Sequence, residues 1–154
     1  MARPLFRGLS KPQIYPPYYN QKSDFEKCLE CENKPCIEAC SENILFIENN
    51  KPSINFAKRG CTFCDECAIV CELDVLTIDN KKEKLNCELI INPKKCMAWN
   101  QTVCFSCQDV CLERAIDFYG MFNPIINEEK CTSCGFCVGV CPSDAIEVHI
   151  KDIK

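Results

Sequence analysis

Apolar side chains in this sequence come in short runs separated by polar positions. Leu76–Ile78, Leu89–Ile91 and Ala145–Val148 suit brief strands and are too short for helices of ordinary length. Residues 41–46 and 112–118 each place a polar pair ahead of apolar residues ending in Phe46 and Phe118, which predicts half a turn of helix leading into a strand. No run reaches 18 apolar residues, so no transmembrane segment is expected. The pattern predicts an α+β chain of small elements. Such elements bury little, and something besides a side-chain core has to hold them together.

Cysteine changes the picture. Without the 17 cysteines the apolar fraction falls from 47% to about 36%, thin for a self-sufficient core. Sixteen of them form four runs: Cys28, Cys31, Cys36 and Cys40; Cys61, Cys64, Cys67 and Cys71; Cys96, Cys104, Cys107 and Cys111; Cys131, Cys134, Cys137 and Cys141. The second and fourth runs have the C-x2-C-x2-C-x3-C spacing of bacterial ferredoxins, and the fourth adds the trailing Pro142. Three thiolates two residues apart let one loop wrap a corner of an iron–sulfur cube. The thiolate three residues later sits a helical turn on, points away and ligates the other cluster of a pair.

Four runs therefore predict four [4Fe-4S] clusters as cofactors. The crossed-ligand rule groups Cys28, Cys31 and Cys36 with Cys71, and Cys61, Cys64 and Cys67 with Cys40. It likewise groups Cys96, Cys104 and Cys107 with Cys141, and Cys131, Cys134 and Cys137 with Cys111. A nested pairing, first run with fourth and second with third, stays open. Zinc sites usually hold two C-x2-C pairs apart by a longer loop, and disulfide frameworks belong to secreted chains. Residues 1–10 carry no apolar core of a signal peptide. Ligation and folding are coupled in such a chain, so the metal-free form should be poorly folded.

The chain repeats itself. All four cysteines of the second run recur 70 residues later, and Cys36 and Cys40 recur 71 residues later. Pro52–Asn55 precedes the second run as Pro124–Asn127 precedes the fourth. The predicted architecture is a duplicated ferredoxin-like 2[4Fe-4S] module, residues 28–80 and 81–154, divided at the charged turn 79–84. Residues 1–27 read as a separate extended arm, with Pro4, Pro12, Pro16, Pro17, Tyr15, Tyr18 and Tyr19, either a frayed end or a docking peptide.

Charge divides the same way. Residues 1–27 carry five basic and two acidic side chains, the remainder thirteen and twenty, for a net −4. An acidic body repels a phosphate backbone, which argues against nucleic acid as a partner. No Gly-x-Ser-x-Gly and no glycine-rich phosphate loop occurs, so no enzymatic activity of its own is expected. Cys87 reads as a small buried hydrophobe on a strand, His149 as a surface strand residue, and Trp99 as a side chain covering a cluster edge.

The residues resemble the NapF family of ferredoxin-type proteins, accessories of periplasmic nitrate reductase systems, over nearly the whole chain. The resemblance is carried by Cys40–Leu45, Pro52–Phe56, Cys61–Cys64 and the unusual seven-residue gap in Cys96–Cys104 followed by Cys107–Cys111. Pro16, Pro17 and Tyr18 are similar to a Pro-Pro-aromatic step in the same relative place. The first run departs from the family in having four residues, Glu32–Pro35, between its second and third cysteines. Arg3 and Arg7 are not adjacent, so no twin-arginine export signal is seen and a cytoplasmic location is expected. The resemblance implies an accessory that meets the nitrate reductase catalytic subunit before export and assists its iron–sulfur loading. The alternatives are a polyferredoxin and an electron-transfer subunit passing single electrons between redox enzymes.

Overall fold

The computed structural model describes residues 12–153. Its elements are as short as the pattern requires. A 3-10 helix over Lys22–Leu29 is followed by α1 (Pro35–Glu38), a hairpin of β1 (Leu45–Glu48) and β2 (Lys51–Ile54), and α2 (Glu66–Ile69). Then come a 3-10 turn at Ile78–Asn80, β3 (Cys87–Ile91), a 3-10 turn at Ala98–Asn100 and α3 (Ser106–Asp109). The hairpin of β4 (Ile116–Tyr119) and β5 (Phe122–Ile126), α4 (Phe136–Val140) and β6 (Ile146–Ile150) complete the chain.

Three two-stranded antiparallel sheets result, β1 with β2, β3 with β6 and β4 with β5. Asn49 and Asn50 both take positive φ, 53° and 60°, the backbone a tight two-residue hairpin needs. In β3 the buried residues Cys87, Leu89 and Ile91 alternate with Glu88 and Ile90, so one face meets the core. That strand lies along β6 with Leu89 opposite Val148 and Ile91 opposite Ile146.

The expected strand at Leu76–Ile78 does not form. In the second half β3 pairs with β6. In the first half the segment beside Thr77 contains Pro16 and Pro17, which have no N–H to give a ladder. What remains is the bond from the Thr77 amide to the Tyr18 carbonyl, 2.8 Å, and one from the Lys82 amide to the Pro17 carbonyl, 2.7 Å.

The same segment corrects the expectation of a separate arm. Residues 13–19 are buried in the body, and Tyr18 is 1% exposed. The Ile54 amide donates to the Ile14 carbonyl, 2.8 Å, while the Tyr15 amide donates to Asn86 Oδ1 and Asn86 Nδ2 returns a bond to the Gln13 carbonyl, both 2.8 Å. Tyr15 stacks on Phe25 at 4.3 Å and Tyr19 leans on the same ring at 5.4 Å. Apolar area and backbone bonding tie this stretch down, so its composition alone misled. The part of the expected arm before residue 12 lies outside the described residues.

Candidate metal centres

Each cysteine run is built by the same local geometry. The residue three positions after the last cysteine is left-handed every time: Asn43, Asp74, Arg114 and Asp144 have φ of 53°, 52°, 49° and 47°. Its amide returns to the carbonyl of that cysteine, at 2.9, 3.5, 3.1 and 3.3 Å respectively. The reversal turns following amides onto sulfur. Leu76 N–H donates to Cys71 Sγ at 3.3 Å, Ala115 N–H to Cys111 Sγ at 3.3 Å and Ala145 N–H to Cys141 Sγ at 3.2 Å.

The loops ahead of α2 and α4 share a second device. Phe63 and Asp65 are left-handed, as are Ser133 and Gly135 seventy residues on. The twist aims the Phe63 amide at Cys61 Sγ and the Ser133 amide at Cys131 Sγ, both at 3.4 Å. Amides aimed at sulfur stabilise a thiolate and set the potential of an iron–sulfur centre bound there.

Four cavities lie inside these loops, each walled by four cysteines. The first contains Cys28, Cys31, Cys36 and Cys71 in about 390 Å³ of empty space. The second contains Cys40, Cys61, Cys64 and Cys67 in about 370 Å³. The third contains Cys96, Cys104, Cys107 and Cys141 in about 340 Å³, and the fourth Cys111, Cys131, Cys134 and Cys137 in about 330 Å³. Three thiols of each set come from one run and one from the other run of the same half. That is the crossed grouping; the nested one would join residues from opposite halves and is not what the backbone brings together.

The donor set fits a cube better than an ion. No group of three or more His, Cys, Asp or Glu among the described residues is placed to hold a metal ion by itself. The thiols stand around voids instead, as a body with an iron at each of four corners requires. Burial, and then the neighbouring thiolates Cys71 and Cys31, push Cys28 up to about 11. Burial likewise lifts Cys36, Cys61 and Cys107 to about 11, and carries Cys67 and Cys137 higher still. Binding an iron–sulfur core to thiols that burial holds protonated, such as Cys28 and Cys36 of the first cavity, releases protons. When bound, that core supplies one-electron chemistry.

The irregular runs are accommodated by local turns at the first and third cavities. In the first, Lys34 takes φ of 44° and folds its ammonium back onto the carbonyls of Cys28 and Cys31 at 2.9 and 2.7 Å, closing the wider loop. In the third, residues 97–103 form a side turn. Trp99 Nε1 donates to the Pro124 carbonyl at 3.0 Å, and Met97 rather than Trp99 lines the third cavity. The expectation that Trp99 covers a cluster edge is thus corrected, because its indole N–H is satisfied by the neighbouring β5.

Sequence reasoning missed one wall entirely. Pro16, Pro17 and Tyr18 line the second cavity, and the Tyr18 hydroxyl accepts a bond from the Asp65 amide at 3.0 Å. The signal was present in the Pro-Pro-Tyr step itself, which presents rigid apolar surface and no surplus donors. Cys87 belongs to none of the four sets. It is buried on β3 and held by Ser133, whose hydroxyl donates to the Cys87 carbonyl at 2.7 Å; burial, with Cys131 adding, pushes its thiol up to about 12. His149 lies exposed on β6, 3.8 Å from Glu147.

Comparison with known proteins agrees with this geometry. The 4Fe-4S binding domain family, Fer4, matches residues 124–147. The ferredoxin-type protein NapF of Escherichia coli K12 is 34% identical over 139 residues, covering 86% of this chain and 82% of that protein. The chain belongs to the NapF family of ferredoxin-type proteins. Other relatives are matched over smaller shares of their own length. Ferredoxin-type protein NapG of Haemophilus influenzae is 23% identical across 89% of this chain and 58% of its own length. A component of the ion-translocating oxidoreductase complex of Methanosarcina acetivorans is 34% identical across 74% of this chain and 44% of its own length. Among the described residues of this NapF-family chain, no helix is long and apolar enough to cross a membrane.

Proposed function

We propose that this chain holds four [4Fe-4S] clusters, one in each cavity, and acts as a cytoplasmic accessory in the iron–sulfur loading of the periplasmic nitrate reductase catalytic subunit before export. The observation that carries the cluster assignment is the crossed filling of all four cavities: every one has four thiols, three from one run and one from its neighbour. Sixteen of seventeen cysteines are used in this way. Membership of the NapF family supports the accessory role.

The test is association and transfer. The holo protein should bind the precursor of the nitrate reductase catalytic subunit in a co-purification or titration experiment. That subunit, produced in cells lacking this protein, should contain less iron. Rapid electron exchange with several unrelated redox proteins, without such association, would replace the accessory role by that of a polyferredoxin.

A further inference from the structure

The two halves meet at one place that joins two cavities directly. The Cys61 amide donates to the Cys134 carbonyl at 2.7 Å, so a residue walling the second cavity is hydrogen-bonded to one walling the fourth. The approach is close enough that a Cβ on Gly60 would fall on the Phe136 amide and the Cys134 carbonyl. Beside it, a Cβ on Gly135, which has φ of 85°, would enter the Phe56 ring.

Within each half the cavities are joined by helices. In the first half α1 carries Cys36 of the first cavity and runs out at Cys40 of the second, while α2 carries Cys67 of the second and runs out at Cys71 of the first. The two helices pack together. In the second half α3, with Cys107, packs on α4, with Cys137, in the same exchange.

Resting on the four-cluster assignment above, we propose that the sites form a single row in the order first, second, fourth, third cavity, with the Cys61 to Cys134 hydrogen bond as the bridge between halves. The row makes this chain an electron conductor with two ends, whatever its partner. At each step one electron leaves a reduced site and reduces its oxidised neighbour by one equivalent, with no bond or proton transferred. One-electron redox proteins give and take that electron at the ends.

The irregular runs agree with this order. Both regular runs contribute three ligands to an inner site, where the facing half leaves no room for extra residues. Both insertions, Glu32–Pro35 and Met97–Val103, belong to the outer sites.

Pulsed EPR on the anaerobically loaded full chain tests the order. A Cys-to-Asp change converts its site to a three-iron form that is magnetic when oxidised, while intact four-iron sites are not. Cys64→Asp with Cys134→Asp should give the strongest dipolar coupling of any pair drawn from opposite halves, and Cys31→Asp with Cys104→Asp the weakest. Equal coupling in the two pairs, or the reverse ranking, overturns the order. If either double variant takes up no iron, the intact protein decides by NMR. During partial reduction the β-protons of Cys61 and Cys134 should exchange-broaden together, and independent behaviour of the two overturns the bridge. Iron far below about sixteen atoms per intact chain would defeat the four-cluster assignment itself, which an iron assay distinguishes from a wrong order.

Discussion

The Tyr18 hydroxyl accepts the Asp65 amide bond at 3.0 Å, and Asp65 is the residue that opens α2 and with it Cys67. A phenol from the N-terminal segment therefore positions a ligand of the second cavity. Tyr18→Phe should cost about 1 kcal/mol through the lost hydrogen bond. Tyr18→Ala should cost about 3–5 kcal/mol, the range for emptying a large aromatic site. Iron analysis should show the Ala variant losing about a quarter of its iron, one site in four, and the Phe variant keeping it. Full iron in Tyr18→Ala would show that the segment is ornamental to the cavity.

Cys87 and Cys64 are to be compared directly. Cys87→Ala should leave iron and labile sulfide unchanged at a stability cost of about 1 kcal/mol, because the thiol is buried but walls none of the four-cysteine sets. Cys64→Ala should lose iron, since it removes one of four donors to the second cavity. A drop in iron in the Cys87 variant would mean that the ligand grouping is wrong.

Lys34 bridges the widened first loop with two bonds to the carbonyls of Cys28 and Cys31. Lys34→Met keeps the stem and removes the ammonium. The first site should then lose iron to a chelator faster than the other three, followed as a distinct kinetic phase. Uniform loss from all four would count against a clasp at Lys34.

Arg114 sits at φ of 49° in the reversal after Cys111. Left-handed backbone costs a β-branched residue most and glycine least. Arg114→Val should be less stable than Arg114→Gly by about 1–2 kcal/mol, read from thermal melts of the loaded proteins. Equal melting temperatures would mean that the turn relaxes at no cost.

Tyr15 and Tyr19 give a dependence on pH. Burial raises both above the ordinary 10.0, Glu48 adding for Tyr15 and Tyr15 itself adding for Tyr19. A raised folded-state value means that the stabilisation is fully present below pH about 10 and is lost as the pH rises through the raised values. Carbon NMR of labelled tyrosine rings should show both phenols neutral above pH about 10, ionising together with loss of the segment from the body. Ionisation at the ordinary value with the fold intact would contradict their burial.

Much of this molecule is written in spacing. The four runs follow from the intervals between cysteines, because covalent geometry dictates which thiols share a loop; spacing left open which run gives each set its fourth thiol, and that depends on which loops the fold brings together. The strands near Leu89 and Ala145 were equally legible, since each alternates or clusters apolar residues next to a turn. Leu76–Ile78 carried the same apolar signal and failed, because a strand also needs a partner able to give amides, and Pro16 and Pro17 give none. The burial of Tyr15, Tyr18 and Tyr19 was hidden for a related reason: proline-rich composition describes an isolated segment and says nothing of the surface that receives it. The contact of Cys61 with Cys134 has no local signature, being a meeting of two backbones across the fold.

Tyr15 and Asn86 lie 71 positions apart, and their hydrogen bond joins an early part of the chain to a late one. The ribosome makes Pro16, Pro17 and Tyr18 well before Thr77, Lys82 and Asn86, whose bonds hold that segment in place. Contacts of such sequence separation form late. The second cavity therefore stays open on one side while the nineteen residues from Ala68 to Asn86 are added after its last thiol, Cys67. Delivery of iron and sulfide to that site has a window in time, and completion of Asn86 begins to shut it.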